Sequence, residues 1–488
     1  MLETIHGLRR RIDELENLHV PDPSRIYLNQ PYDSRSQSHS PDLPDLGYLN
    51  LSQGALSTNI PEPPVHLITN LVDVFLGRFA NSGYFFLRPQ QFRHSALLPL
   101  PFGHRDRPSP ALLSAVYLWA SVLSHAIPEP YTPDGFLACA LQNVPQDLVG
   151  IAEHPQLIVD TVQAEVLLSL YYLHTAYHVQ GRYHAFAASS IALGANLHSI
   201  RSAQYHTAYP PFALEIFLPA PQNPAEESIR IDAFWAVVLI NNIWAGVEGS
   251  PSSVPYSINI DSPWPSSSHG GATITKFLNG NDDHGSSAVA HLAKAAILLE
   301  RIIAFSVRTV GEYFGTSLLH TRDAMSTGPP DPTALASLDR RLHTFQAALP
   351  PLPGMQTLIL THALVDLAIV RLHAPYLRTS DTARGKCLAA AARVVVGASA
   401  VNILDGARNT DAMLGPIYAG VARVYMDEIM ALRQSGRRSP RVQAQSRELE
   451  MRLGTLMSTM ASLAPYSPLI ERCFFDMRSA YAAMSVSG

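Results

Sequence analysis

Lysine is nearly missing from this 488-residue chain: Lys276, Lys294 and Lys386 are the only three, so arginine carries almost all the positive charge. Charged residues make up 15% of the sequence and the formal net charge is -5. A bare cationic coat that grips phosphate by counterion release needs the opposite sign. Cysteine is scarce as well. Cys139, Cys387 and Cys473 are odd in number and far apart, which gives neither a disulfide framework nor zinc-ligand spacing. The simplest reading is buried free thiols in a reducing compartment. No run of about 18 consecutive apolar residues stands out, and the N-terminus has no apolar signal core. The sequence thus predicts a soluble intracellular protein without a membrane partner.

Alternating strand patterns are equally hard to find, and the hydrophobic fraction of 47% is that of a globular chain. What remains is helical periodicity. Ile68, Leu71, Val72, Phe75 and Phe79 fall on one helix face. Ser109-Pro110 has the grammar of a helix start, with serine as cap and proline in the first turn, and Ala111 to Leu123 is apolar nearly all round. Asp160 with Gln163 resembles a capping box opening a helix from Thr161 to His178. Further helices are predicted over 182–198, 229–247, 291–310, 333–348, 356–373, 382–404, 411–433 and 444–463, with a polar loop over 262–290. The predicted fold class is all-α, a large multi-helix bundle of antiparallel helices. No fixed-period repeat is visible.

Two segments precede that bundle. Over 1–19, Ile5, Leu8, Ile12 and Leu15 keep the three-four-three rhythm of a short coiled coil, a candidate homo- or heterodimerisation seam. Residues 20–64 are rich in proline, serine, aspartate and asparagine and read as a disordered linker. The regulatory domain itself is expected over 65–485.

Signatures of catalysis are not found. The sequence has no GxxxxGK[ST], GxGxxG after a strand, HExxH or GxSxG; its Gly385-Lys386 pair sits within a helical pattern. Asn281-Asp282-Asp283 reads as a solvated loop tip. His174 and His178, four apart on one predicted helix with His184 close behind, are the best approach to a zinc-ligand set, though structural histidines explain them as well. No paired carboxylates in an apolar setting are evident. No catalytic, metal or cofactor residue is therefore assigned, and the chain is not read as an enzyme. Two basic stretches remain, Arg9-Arg10-Arg11 and a loop patch of Arg433, Arg437, Arg438 and Arg441. The first reading of the patch is a solvated surface; the sharper one is nuclear import or phosphate contact.

Several segments, taken in order, resemble the regulatory middle homology region of fungal zinc-cluster (binuclear zinc) transcription factors of the basidiomycete type. They are Phe92 to Pro99 and Arg107 to Leu113; Gln163 to Leu168, Gly181 to His184 and Leu193 to His198; Arg230 to Trp235, Pro251 to Val254 and Ile260 to Pro265; and Leu372 to Pro375 with Lys386 to Ala391. Together they span roughly residues 65–480. The resemblance implies a nuclear transcription regulator that engages the transcription machinery. In that family a six-cysteine, two-zinc cluster reads DNA ahead of a linker and a coiled coil. Three scattered cysteines cannot supply those ligands, so zinc and direct DNA binding are expected only of a form that carries the cluster. Two alternatives from other classes are an all-α enzyme with an apolar substrate cavity, and a dimerisation-only partner acting through residues 1–19. Scaffold roles suit the motif residues better than ligand contact: Phe234, Trp235 and Leu193 to Leu197 as helix packers, Gly194 as a point of close approach.

Overall fold

A computed structural model describes residues 60–486 apart from 125–126, 152, 202–217, 268–271, 282–284, 311–331, 353–355, 404–409 and 435–438. Contacts divide the chain into Met1–Ala55 and Leu56–Gly488, and the helical body belongs to the second unit. The predicted coiled coil, with Ile5, Leu8, Ile12 and Leu15, lies outside the described residues, as does the linker up to residue 59.

The described residues form helices and no strand, in agreement with the all-α expectation. In chain order they are α1 Val65–Phe79, α2 Pro89–Ala96, α3 Pro110–Leu123, α4 Pro133–Gly150, α5 Leu157–His174, α6 His178–Gly194, α7 Pro224–Glu248, α8 Thr273–Leu278, α9 Ala288–Val310, α10 Pro332–Ala348, α11 Gln356–His373, α12 Asp381–Ile403, α13 Leu414–Gln434, α14 Pro440–Leu463 and α15 Pro468–Val486. Four of them open with the same two-residue device. Ser109, Thr132, Asn223 and Ser439 each accept a backbone N–H three residues on, and proline occupies the next position. The cap satisfies a donor that the helix leaves orphaned, and proline has no donor to lose there.

Packing is ordered around helices with no solvent face. In α5 every residue from Thr161 to Leu173 is buried, and in α7 every residue from Ala233 to Val247. Such a helix needs neighbours on all sides. For α7 these include α5, α6 and α9; α9 then packs on α11, and α11 on α12 and α13. The buried apolar side chains join into one continuous cluster from Leu67 to Met484. Pro224–Glu248 and Thr357–Tyr376 are long and apolar enough by composition to cross a membrane, although polar residues interrupt their apolar runs. Their windows are 89% and 78% buried within the body, as core helices require.

Several boundaries differ from expectation. The helix predicted to run to His178 ends at His174; Ala176 takes a left-handed φ of 62°, and α6 starts at His178. Asp160 does not open α5, which begins at Leu157, and its carboxylate accepts from Ser109 N at 2.8 Å to cap α3 instead. Gln163 reaches farther still. Its Oε1 accepts from Phe86 N at 2.9 Å and its Nε2 donates to Tyr84 O at 2.9 Å, pinning an extended segment against α5. The polar loop contains α8, whose Ile274 and Phe277 are buried. Residues 60–64, grouped with the linker by composition, lie on the body. Glu62 pairs with the buried Arg107 guanidinium, and Ile60 packs over Gly135.

One close approach locks α5, α6 and α7 together. Trp244 Nε1 donates to Ser169 Oγ at 2.8 Å, and Ser169 Oγ donates to Gly181 O at 2.8 Å. A Cβ on Gly181 would stand 2.0 Å from Trp244 Cζ2. The ring is held by its own hydrogen bond and cannot easily yield. Gly181→Ala should therefore lose about 1–3 kcal/mol of stability through overpacking, despite the roughly 1 kcal/mol that alanine gains over glycine in a helix. Chemical denaturation checks this; an unchanged or raised midpoint would contradict the contact.

Candidate functional site

The three histidines singled out as the nearest thing to a metal set face in different directions. His174 packs edge-on to Trp119 with ring centroids 5.4 Å apart, and burial, with Arg78 nearby, pushes its pKa down to about 4. His178 lies edge-on to Trp244 at 5.7 Å and 4.0 Å from Glu248, with its pKa lowered by burial and then by Arg472. His184 turns inward to Glu165, Nδ1 to Oε2 at 2.6 Å, and stacks on Tyr172 with centroids 5.4 Å apart. Among the described residues no group of three His, Cys, Asp or Glu side chains can hold a metal ion.

Among the ion pairs of the described residues, Glu165–His184 is the most enclosed. Sequence reading missed it because the two residues are 19 apart and on different helices. The buried polar groups beside it continue as structural bonds: Asn241 Nδ2 donates to Ala185 O at 3.1 Å, and Ser253 Oγ donates to Asn241 Oδ1 at 2.5 Å. This chain of bonds fastens the loop after α7 to α6 and α7.

A small cleft sits elsewhere, between α11, α12 and α13. Asp366, Arg393, His362 and Tyr418 line it, and at about 10 Å³ it has room for a single water. Asp366 Oδ1 accepts from Gln346 Nε2 at 2.9 Å and from Arg393 Nε at 2.9 Å. Burial raises the Asp366 pKa to about 6 against the pull of Arg393. The Tyr418 hydroxyl is buried without a hydrogen-bond partner, and burial raises its pKa. A ligand-sized pocket needs on the order of 300 Å³ or more. Cys387 is fully buried, and desolvation pushes its thiol up to about 12, consistent with an inert packing residue.

Of the loop patch, Arg433 Nη2 contacts Glu450 Oε1 at 3.2 Å, both side chains being well exposed, so one of its charges is already balanced at the surface. Arg441 is exposed in the first turn of α14, while Arg437 and Arg438 lie outside the described residues. Asn281 closes the turn after α8 through its N–H to Lys276 O at 2.9 Å; Asp282 and Asp283 also lie outside the described residues.

The motif segments behave as joints. Arg107 is buried and reaches Glu62, Leu100 O and Ala96 O. Asp261 N and Ser262 N donate to His198 O at 2.9 and 3.1 Å, and Ser262 Oγ donates to Leu197 O at 2.6 Å, tying Leu193–His198 to Ile260–Pro265. Trp235 donates to Pro263 O at 2.5 Å and stacks on Trp264 with centroids 4.3 Å apart. No protein-family model matches the chain, and no curated protein matches it.

The structure also brings together a carboxylate pair that the sequence did not reveal. Asp147 and Asp160 both face the start of α3, accepting from Ala111 N at 3.2 Å and Ser109 N at 2.8 Å. Burial, opposed by the Ser109 hydrogen bond and aided by the Asp147 charge, raises the Asp160 pKa to about 7 from 3.8. A carboxyl raised in this way holds its proton more tightly folded than unfolded. Its contribution is complete below the unfolded value and is lost as pH rises through about 7. Asp160→Asn keeps an acceptor for Ser109 and removes the titration. Denaturation midpoints between pH 4 and 7 should fall less steeply with rising pH in the variant than in the wild type, and identical slopes would remove the assignment.

Proposed function

We propose that this chain is a transcription regulator, the effector region of a protein like the fungal zinc-cluster factors, working in the nucleus through partners. The ordered set of resembling segments carries this reading. Its physical support is that residues of those segments serve as joints of the helical body. Two of the joints link one segment to another, Arg107 to Ala96 O and Leu197–His198 to Asp261–Ser262, while Arg107 also holds Glu62, Gln163 holds Phe86 and Gly181 lies beneath Trp244. Residues that act as joints are the ones a shared architecture would keep in order along a chain.

On this reading zinc and base-specific contact belong to a cysteine cluster that Cys139, Cys387 and Cys473 do not provide. The helical body supplies regulation and contact with the transcription machinery, and the 1–19 seam supplies dimerisation. DNA is reached indirectly or through a cluster-bearing form.

The test fuses the full chain to a heterologous DNA-binding domain and measures a reporter bearing that domain's sites. Output should change at least several-fold relative to the DNA-binding domain alone, in either direction, with the untagged chain concentrated in nuclei. An inert fusion that is expressed and folded, together with exclusion of the chain from nuclei, would overturn the proposal.

A further inference from the structure

Helix α10 is attached to the body differently from its neighbours. Only Leu342 and Phe345 are buried along its length. Leu335 and Leu338 pack on the core only half-buried, and polar contacts add to this hold: Gln346 on Asp366 at 2.9 Å, Arg341 over the Phe277 ring at 4.3 Å, and a junction at Asp339. At that junction three groups that are or can become cations share one carboxylate. His373 Nε2, at the end of α11, is 2.8 Å from Asp339 Oδ1. His343 Nε2, one turn along α10, is 3.4 Å from the same oxygen. Lys386 Nζ, from α12, is 2.5 Å from Oδ2.

The charge count depends on pH. With both imidazoles neutral, one carboxylate faces one ammonium and the joint is balanced. With both protonated, three positive charges face a single negative one. His373 is buried, and Lys386 already occupies the far oxygen, so the carboxylate has little attraction left to offset desolvating a new imidazolium. Asp339, His343, His373 and Lys386 are the titratable groups that the three helices bring to this point.

We propose that α10 is a pH-sensitive clasp, held to the α11–α12 seam near neutrality and released as the Asp339 junction gains charge on mild acidification, while the core around α7 stays closed. The supporting shifts agree in sign. Burial, with Lys386 and His343 adding to it, outweighs Asp339 and lowers the His373 pKa below 6.5. A histidine lowered in this way costs stability as pH falls below its unfolded value, because the unfolded chain takes up the proton more readily. For Asp339, burial raises the pKa but the Lys386 and His373 hydrogen bonds more than reverse it, so the carboxylate stays charged throughout this window.

Hydrogen exchange of the full chain at pH 7.5 and pH 5.5, corrected for the intrinsic exchange rate at each pH, reads the clasp directly. Protection across 332–348 should drop by about tenfold or more at the lower pH, while α7 keeps its protection. The double variant His343→Gln, His373→Gln retains amide donors without the titration and should lose most of that drop. Lys386→Met frees Asp339 for the imidazoles and should blunt the drop as well, giving a second reading if the double variant does not fold. Constant protection of α10 in the wild type, loosening of α10 and α7 together, or an undiminished drop in the variants would each overturn the proposal.

Discussion

The structure depends on the complete burial of Ala233 to Val247 in α7. Ala233 to Val247 present apolar or internally bonded side chains in every direction, Phe234, Trp235, Ile240 and Trp244 among them. At roughly 1.5–3 kcal/mol for each large side chain taken from water, no arrangement that leaves one face of this helix wet can compete. The chain must therefore wrap it. α5 and α6 close one side, α9 another, and the loop running from Pro251 to Pro265 caps the rest through the Trp235 contact with Pro263 and Trp264. Most polar groups in this interior are supplied with a partner, as Ser169, Asn241 and the Glu165–His184 pair show, although a few atoms such as Asn242 Nδ2 and the Tyr418 hydroxyl are not.

This constraint explains what kind of information the resembling segments carry. Glycine at 181 is needed because an indole ring occupies the space of a side chain; Ser262 is needed to close the carbonyl of Leu197. These are requirements of an architecture. The proposed function accordingly rests on the ordered architecture. On the proposed clasp at α10, a part that moves is carried by a core that does not.

Much of the fold was legible in the sequence where the signal is local. The apolar face of α1 and the Ser109-Pro110 start of α3 need only a few neighbouring residues to be read. The same start at Thr132-Pro133 escaped because Gly135 and Pro145 interrupt the pattern of α4, and Gly135 is there to admit Ile60. Asp160 and Gln163 looked like a capping box since their spacing is right, yet both bond to segments about 50 and 80 residues away, at Ser109 and at Tyr84 and Phe86. The Asp147–Asp160 pair, the Glu165–His184 couple and the Asp339 junction are products of tertiary contact and leave no trace in local spacing.

The proposed function has this helical body act at promoters. Crosslinking and immunoprecipitation of the intact chain, expressed at its natural level, tests that most directly by mapping its occupancy on chromatin. Reproducible enrichment at a discrete set of promoters, diminished when the 1–19 seam is deleted, is the expected result. A chain found away from chromatin under all growth conditions would contradict the claim.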